Sequence, residues 1–176
     1  MHRNNLIASL LTVCFIALIP SVGATQTGVV KSLMAVLRAD ADALGAPKVQ
    51  GNALYFGNTK VSADLVDAAV KKLGGVATIF MKSGDQFVRV ATTVKKEDGT
   101  SAEGTALAAD SPALAKLNKG EAYYGDATVF GKTYDAGYLP IKDASGAVIG
   151  AYFVGYQSDC TGVGSGRRPF CCACLI

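Results

Sequence analysis

Val76-Ala77-Thr78-Ile79-Phe80-Met81, Lys82-Ser83-Gly84-Asp85 and Gln86-Phe87-Val88-Arg89-Val90-Ala91-Thr92-Thr93-Val94 follow one another without a break, and this stretch decides the fold. Its first piece is a compact apolar run, its second a polar turn sequence, its third an alternating segment rich in β-branched residues. Two strands joined by a short polar connection predict an antiparallel hairpin. Strict alternation puts Phe87, Arg89, Ala91 and Thr93 on one face of the second strand and Val88, Val90, Thr92 and Val94 on the other.

Working back toward the N-terminus, the pattern becomes helical. Leu65, Val66, Ala69, Val70 and Leu73 mark one face of a helix that Ser62 opens and Gly74-Gly75 ends. Before it, Val49 to Phe56 holds one short strand-like piece, Leu54-Tyr55-Phe56, bounded by Gly51-Asn52 and Gly57-Asn58. Thr27 to Leu44 carries Val29, Val30, Leu33, Val36, Leu37 and Leu44 near helical spacing, with Gly45 and Pro47 as the stop.

Toward the C-terminus, Lys95 to Gly104 is polar and loop-like, and Ser111-Pro112 opens a short helix that Gly120 ends. Three further strands are expected at Glu121 to Phe130, Thr133 to Lys142 and Val148 to Tyr156, separated by Gly131-Lys132 and Asp143-Ala144-Ser145-Gly146. Short connections suit antiparallel pairing. The expected class is α+β, with helices packed on a mainly antiparallel sheet of about five strands.

The chain of 176 residues is 50% hydrophobic and 18% charged, sufficient for a single packed domain and too apolar for a disordered chain. Its net charge of +3 is spread along the sequence without a clustered basic footprint, which argues against a nucleic-acid partner. Residues 1–24 read as a signal peptide: His2 and Arg3, an apolar stretch from Leu6 to Ile19, Pro20, then Val22-Gly23-Ala24 as the cleavage site. That stretch is short for a membrane span, and a retained anchor is the competing reading. Residues 25–156 form the expected domain, and 157–176 a Gly/Arg/Cys-rich irregular tail.

Chemistry is constrained by what the domain lacks. The one histidine, His2, lies in the signal segment, which removes Ser-His and Cys-His nucleophile pairs and imidazole metal sites. No phosphate-binding loop or strand-coupled dinucleotide motif is present. Cys160, Cys171, Cys172 and Cys174 crowd the tail, where disulfides or free thiols fit better than a four-thiolate metal site. No catalytic set, cofactor or metal is expected.

Arg89 stands mid-strand between Val88 and Val90. It either sits on a solvated sheet face, which the sequence by itself favours, or enters a pocket and meets an anion by bidentate hydrogen bonding. Tyr123, Tyr124, Tyr134, Tyr138 and Tyr152 give the later strands an amphipathic lining suited either to core packing or to a small polar ligand.

These residues carry a resemblance. Gly75-Val76-Ala77-Thr78-Ile79-Phe80, Gly84 to Thr92 and Lys95-Lys96-Glu97-Asp98-Gly99-Thr100 resemble single Cache domains of the Cache 3/Cache 2 fusion group. Gly104-Thr105, Ser111-Pro112-Ala113, Tyr123-Tyr124-Gly125, Tyr138-x-Pro140-Ile141-Lys142-Asp143 and Gly146 to Gly155 agree in order, so the likeness covers Val49 to Tyr156. It implies an N-terminal helix on a PAS-like antiparallel sheet with one ligand pocket, in an extracytoplasmic sensor module of bacterial chemoreceptors and sensor kinases. The implied ligand is a small molecule, often a short carboxylate, with Arg89 as the anion-binding candidate and Phe80, Thr92, Tyr123 and Tyr138 as lining candidates.

The implied partners are a membrane sensor protein and a second copy of the chain. Two features depart from receptor sequences: the N-terminal helix is short, and no apolar span follows Tyr156. A free-standing periplasmic binder and a truncated receptor gene compete to explain them. A PAS-like interaction domain that no longer binds ligand is the alternative function.

Overall fold

The computed structural model describes residues 26–157. The signal segment and the cysteine-bearing tail, with the expectations attached to them, lie outside these residues.

Helix α1 (Gln26–Asp42) forms where Val30, Leu33, Met34, Leu37 and Ala41 recur at three- and four-residue spacing, and all five are buried. Three short strands follow, β1 (Pro47–Gln50), β2 (Ala53–Phe56) and β3 (Thr59–Lys60), paired antiparallel in that order. The single strand-like piece expected here is the middle one. Gly51-Asn52 and Gly57-Asn58, read as its boundaries, are the two hairpin turns that add a neighbour on each side. Leu54 and Phe56 of β2 point into the core, where Phe56 stacks on Tyr152 with ring centroids 6.1 Å apart.

Helix α2 (Ala63–Leu73) buries Val66 and Ala69, and Lys72 in its last turn meets the Asp40 carboxylate of α1 at 2.7 Å. Ser62 is the N-cap residue, but its hydroxyl bonds the Asp64 side chain rather than a backbone N–H. Strands β4 (Val76–Ser83) and β5 (Gln86–Thr92) make the expected hairpin, its turn reduced to Gly84-Asp85. Helix α3 (Pro112–Asn118) comes next, then β6 (Tyr123–Val129), β7 (Lys132–Lys142) and β8 (Val148–Gln157).

The larger sheet has five antiparallel strands in the order β5-β4-β8-β7-β6. β4 and β8 are internal and buried on both faces, which explains why each is a nearly unbroken apolar run. On one face, Ala77, Ile79, Met81, Ala91, Tyr152 and Val154 pack with α1 and α2. On the other, Phe80, Phe87, Tyr138 and Phe153 pack beneath Ala113 and Leu117 of α3. The site candidates belong to this second face. The α+β layout expected from the sequence is the one observed.

Alternation fails at one place that matters. Ile79 pairs with Ala91, but Phe80 pairs with Arg89, so Val90 is the extra residue of a β-bulge. Phe87 and Arg89 therefore share their face with Thr92, not with Ala91. The strict face assignment made from the sequence is corrected beyond Arg89.

Candidate functional site

The register places the candidate residues in two adjacent rows across the sheet. Thr92 pairs with Thr78, Thr78 with Phe153, Phe153 with Tyr138, and Tyr138 with Tyr123, a row that crosses all five strands. The next row runs Arg89, Phe80, Ala151, Pro140. All five candidates thus fall on one face, beneath the segment that carries α3.

Arg89 is the outlier among them. It is 5% exposed, which overturns the solvated reading that the sequence alone favours. Its guanidinium lies 5.0 Å from the Phe80 ring centroid and 5.2 Å from that of Phe130, within cation–π range of both. Nη1 donates to the Thr105 hydroxyl at 2.8 Å and to the Ala106 carbonyl at 2.9 Å. Nε is buried and has no hydrogen-bond partner. Among the described residues the ion pairs are Arg38–Asp42, Lys72–Asp40 and Lys116–Glu121, so no carboxylate neutralises Arg89. Burial pulls its pKa down, opposed by the neighbouring Tyr138 phenol, but arginine stays charged in proteins. A buried cation left without its counter-ion costs several kcal/mol, about the size of an ion's desolvation penalty.

The backbone around Arg89 is closed by a strap. Its N–H donates to the Thr105 carbonyl at 2.9 Å, its carbonyl accepts from Gly104, and Leu107 N–H donates to the Phe87 carbonyl at 2.7 Å. This covers the outer edge of β5 with residues 102–107, a protected edge rather than an open one.

Tyr138 sits at the centre, 1% exposed, with its ring 4.8 Å from Phe153, 6.1 Å from Tyr123 and 6.5 Å from Phe80 by centroid. Burial pushes its pKa up to about 12, while Arg89 and a hydrogen bond with the Ser111 side chain pull the other way. The Thr92 hydroxyl is shared with Thr78 at 2.6 Å and accepts from Val94 N–H at 3.1 Å, so it is committed to the sheet. Tyr123 is half-buried, and its hydroxyl donates to the Asp126 carbonyl of its own strand at 2.9 Å. Arg89, Phe80 and Tyr138 are therefore brought together, and Thr92 and Tyr123 line the same face with their hydroxyls engaged locally.

Sequence reasoning did not find Phe130, Thr105, Ala106 or Ser111. Thr78 and Phe153 had a signal, since each lies two residues along a strand from a residue of this face. Phe130 had none, because it belongs to the far edge of the sheet. In a flat five-stranded sheet the edge strands would stand about 19 Å apart. The sheet curls so that the β6–β7 turn, Phe130-Gly131, approaches Arg89 of β5. Both turn residues have positive φ, 47° and 74°. Such two-residue turns select Asn, Asp or Gly at the first position, and a bulky residue there costs about 1–2 kcal/mol.

A separate groove of about 710 Å³ opens beside β5, lined by Leu54, Val61, Met81, Val88 and Val90 with Lys60 and Glu103 among its polar residues. Leu54, Val61 and Met81 belong to the helix-side core, and of the five candidates only Arg89 borders the groove. Among the described residues no group of three or more His, Cys, Asp or Glu side chains is placed to hold a metal, and no helix is long and apolar enough to cross a membrane.

The family model of the Cache 3/Cache 2 fusion domain matches residues 22–162. The crystal structure of the E. coli DcuS sensor domain is similar in fold, with a TM-score of 0.51 at 17% identity over 76% of this chain and 92% of that one. No curated protein matches the chain.

Proposed function

The chain belongs to the Cache 3/Cache 2 fusion domain family, a family of sensory domains, and from that premise we propose that it is an exported, non-catalytic sensor of small carboxylates. The observation that carries the ligand class is Arg89: a buried guanidinium without a carboxylate partner and with an unpartnered Nε. A carboxylate supplies what this site lacks, a negative charge and acceptor oxygens in the geometry a guanidinium forks onto. Phe80 and Tyr138 form the apolar and hydroxyl-bearing wall beside it, and Thr92 and Tyr123 extend the lining along the next row. The reading of residues 1–24 as a signal segment and the family's extracytoplasmic setting support export to the periplasm. Signal output then runs through a membrane sensor partner, with chemotaxis or kinase control as its context.

Thermal unfolding of the chain across a panel of short carboxylates, amino acids and neutral controls tests this reading. A carboxylate at 100 times its dissociation constant adds about 2.7 kcal/mol, a shift of several degrees. A shift that disappears in Arg89→Ala supports the anion site. No shift across the panel removes the carboxylate class and favours the interaction domain that binds no ligand.

A further inference from the structure

We propose that the Phe130-Gly131 turn is a gate on the Arg89 site, its ring covering the guanidinium in the closed state and leaving it when an anion is bound. The inference rests on the reading of Arg89 as the anion site, and adds to it the element that controls access.

Three observations converge on Phe130. Its backbone occupies the left-handed region at φ 47°, where a phenylalanine is disfavoured and asparagine or glycine fits without strain. What the ring gains there is Arg89: it reaches across from the opposite edge of the sheet to lie 5.2 Å from the guanidinium carbon. The closed arrangement is nevertheless incomplete, because Nε stays buried without a partner. A ring in place of an anion gives the cation a weaker partner and leaves one buried donor unused.

The turn also lies at the surface. It is the tip of a hairpin, Phe130 is only partly buried, and Gly131 beside it accepts a wide range of backbone angles. The Glu97 carboxylate of the polar loop lies against Gly131, so the loop and the turn meet over the site from opposite edges. The ring packs against the apolar cluster of that face and over the Arg89 guanidinium, and a change of side-chain rotamer uncovers the cation while the turn keeps its backbone. The anion competes for the face that Phe130 covers.

The test measures access to Arg89 with phenylglyoxal, a dicarbonyl reagent selective for guanidinium, read by mass spectrometry of the peptide containing Arg89. Arg38, which is exposed, serves as the internal control. Phe130→Asn keeps the turn and removes the ring, and labelling of Arg89 should rise at least tenfold over the wild-type chain while Arg38 is unchanged. Phe130→Tyr keeps the ring and should remain slow. Hydrogen exchange of the β4 amides should not change in Phe130→Asn, which separates an opened turn from a loosened fold.

Acetate, compared with chloride at the same ionic strength, should then protect Arg89 in the asparagine variant. Equal labelling of Arg89 in wild type and Phe130→Asn overturns the gate whatever acetate does. Faster labelling that no carboxylate suppresses overturns the anion reading beneath it.

Discussion

Arg89 and Thr92 face the same side of the sheet although they stand three positions apart, because Val90 is the extra residue of a bulge between β4 and β5. Without that insertion one of the two would turn toward α1 and α2. The bulge therefore lets a charged side chain and a sheet-locking hydroxyl contribute to one face, a role that bulges beside binding sites commonly serve.

The lock is testable through Thr92. Its hydroxyl bonds the buried Thr78 hydroxyl and Val94 N–H. Thr92→Val strands both and should cost about 1–3 kcal/mol in urea unfolding. Adding Thr78→Val should cost less than the two single changes together, since the pair is then replaced by apolar groups of similar shape.

Arg89→Met should leave the unliganded domain as stable as the wild type, or more so. It removes a buried cation with no carboxylate partner and substitutes an apolar chain of similar length, a change that is often neutral or stabilising by about 1–4 kcal/mol. A large drop in melting temperature would show instead that the bonds to Thr105 and Ala106 make Arg89 a structural clamp.

Gly150→Ala should destabilise strongly. Gly150 lies in β8 against the Phe80 backbone, and a Cβ there would run into the Phe80 carbonyl. Overpacking of this kind costs about 1–3 kcal/mol, and because Phe80 touches the Arg89 guanidinium, carboxylate response should fall along with stability.

Stability should decline at alkaline pH. Burial raises Tyr138 from its ordinary value of 10 to about 12, and raises Tyr152 as well. Between those values the unfolded chain has lost the Tyr138 proton and the folded chain has kept it, so stability is full below pH 10 and falls as pH rises toward 12. The contribution of Tyr138 over that window is about 2–3 kcal/mol. Denaturant midpoints taken from pH 8 to 11 should fall less steeply in Tyr138→Phe than in the wild type.

Much of this architecture is written in local patterns. Leu33 and Leu37 mark the buried stripe of α1, and the runs around Ile79 and Phe153 mark strands covered on both faces. The hairpin nature of Gly51-Asn52 and Gly57-Asn58 was not legible, because β1 and β3 carry no apolar alternation of their own. At the site, Arg89 was visible as a charge in an apolar strand, but its burial was not, since burial comes from the strap at 102–107 and from the Phe80 and Phe130 rings. The bulge at Val90 leaves no mark in the residue types around it. Phe130 meets Arg89 through the curl of the whole sheet, a property of five strands together rather than of any one of them.

The orphan donor of Arg89 gives the most direct test. The Nε–H resonance of Arg89, assigned by comparison with Arg89→Lys, should be followed by ¹H–¹⁵N correlation spectroscopy while short carboxylates are added to the chain. A saturable downfield shift with slower exchange, produced by a carboxylate and not by its amide, is the expected result. A resonance that no carboxylate moves would contradict the assignment of Arg89 as the anion site.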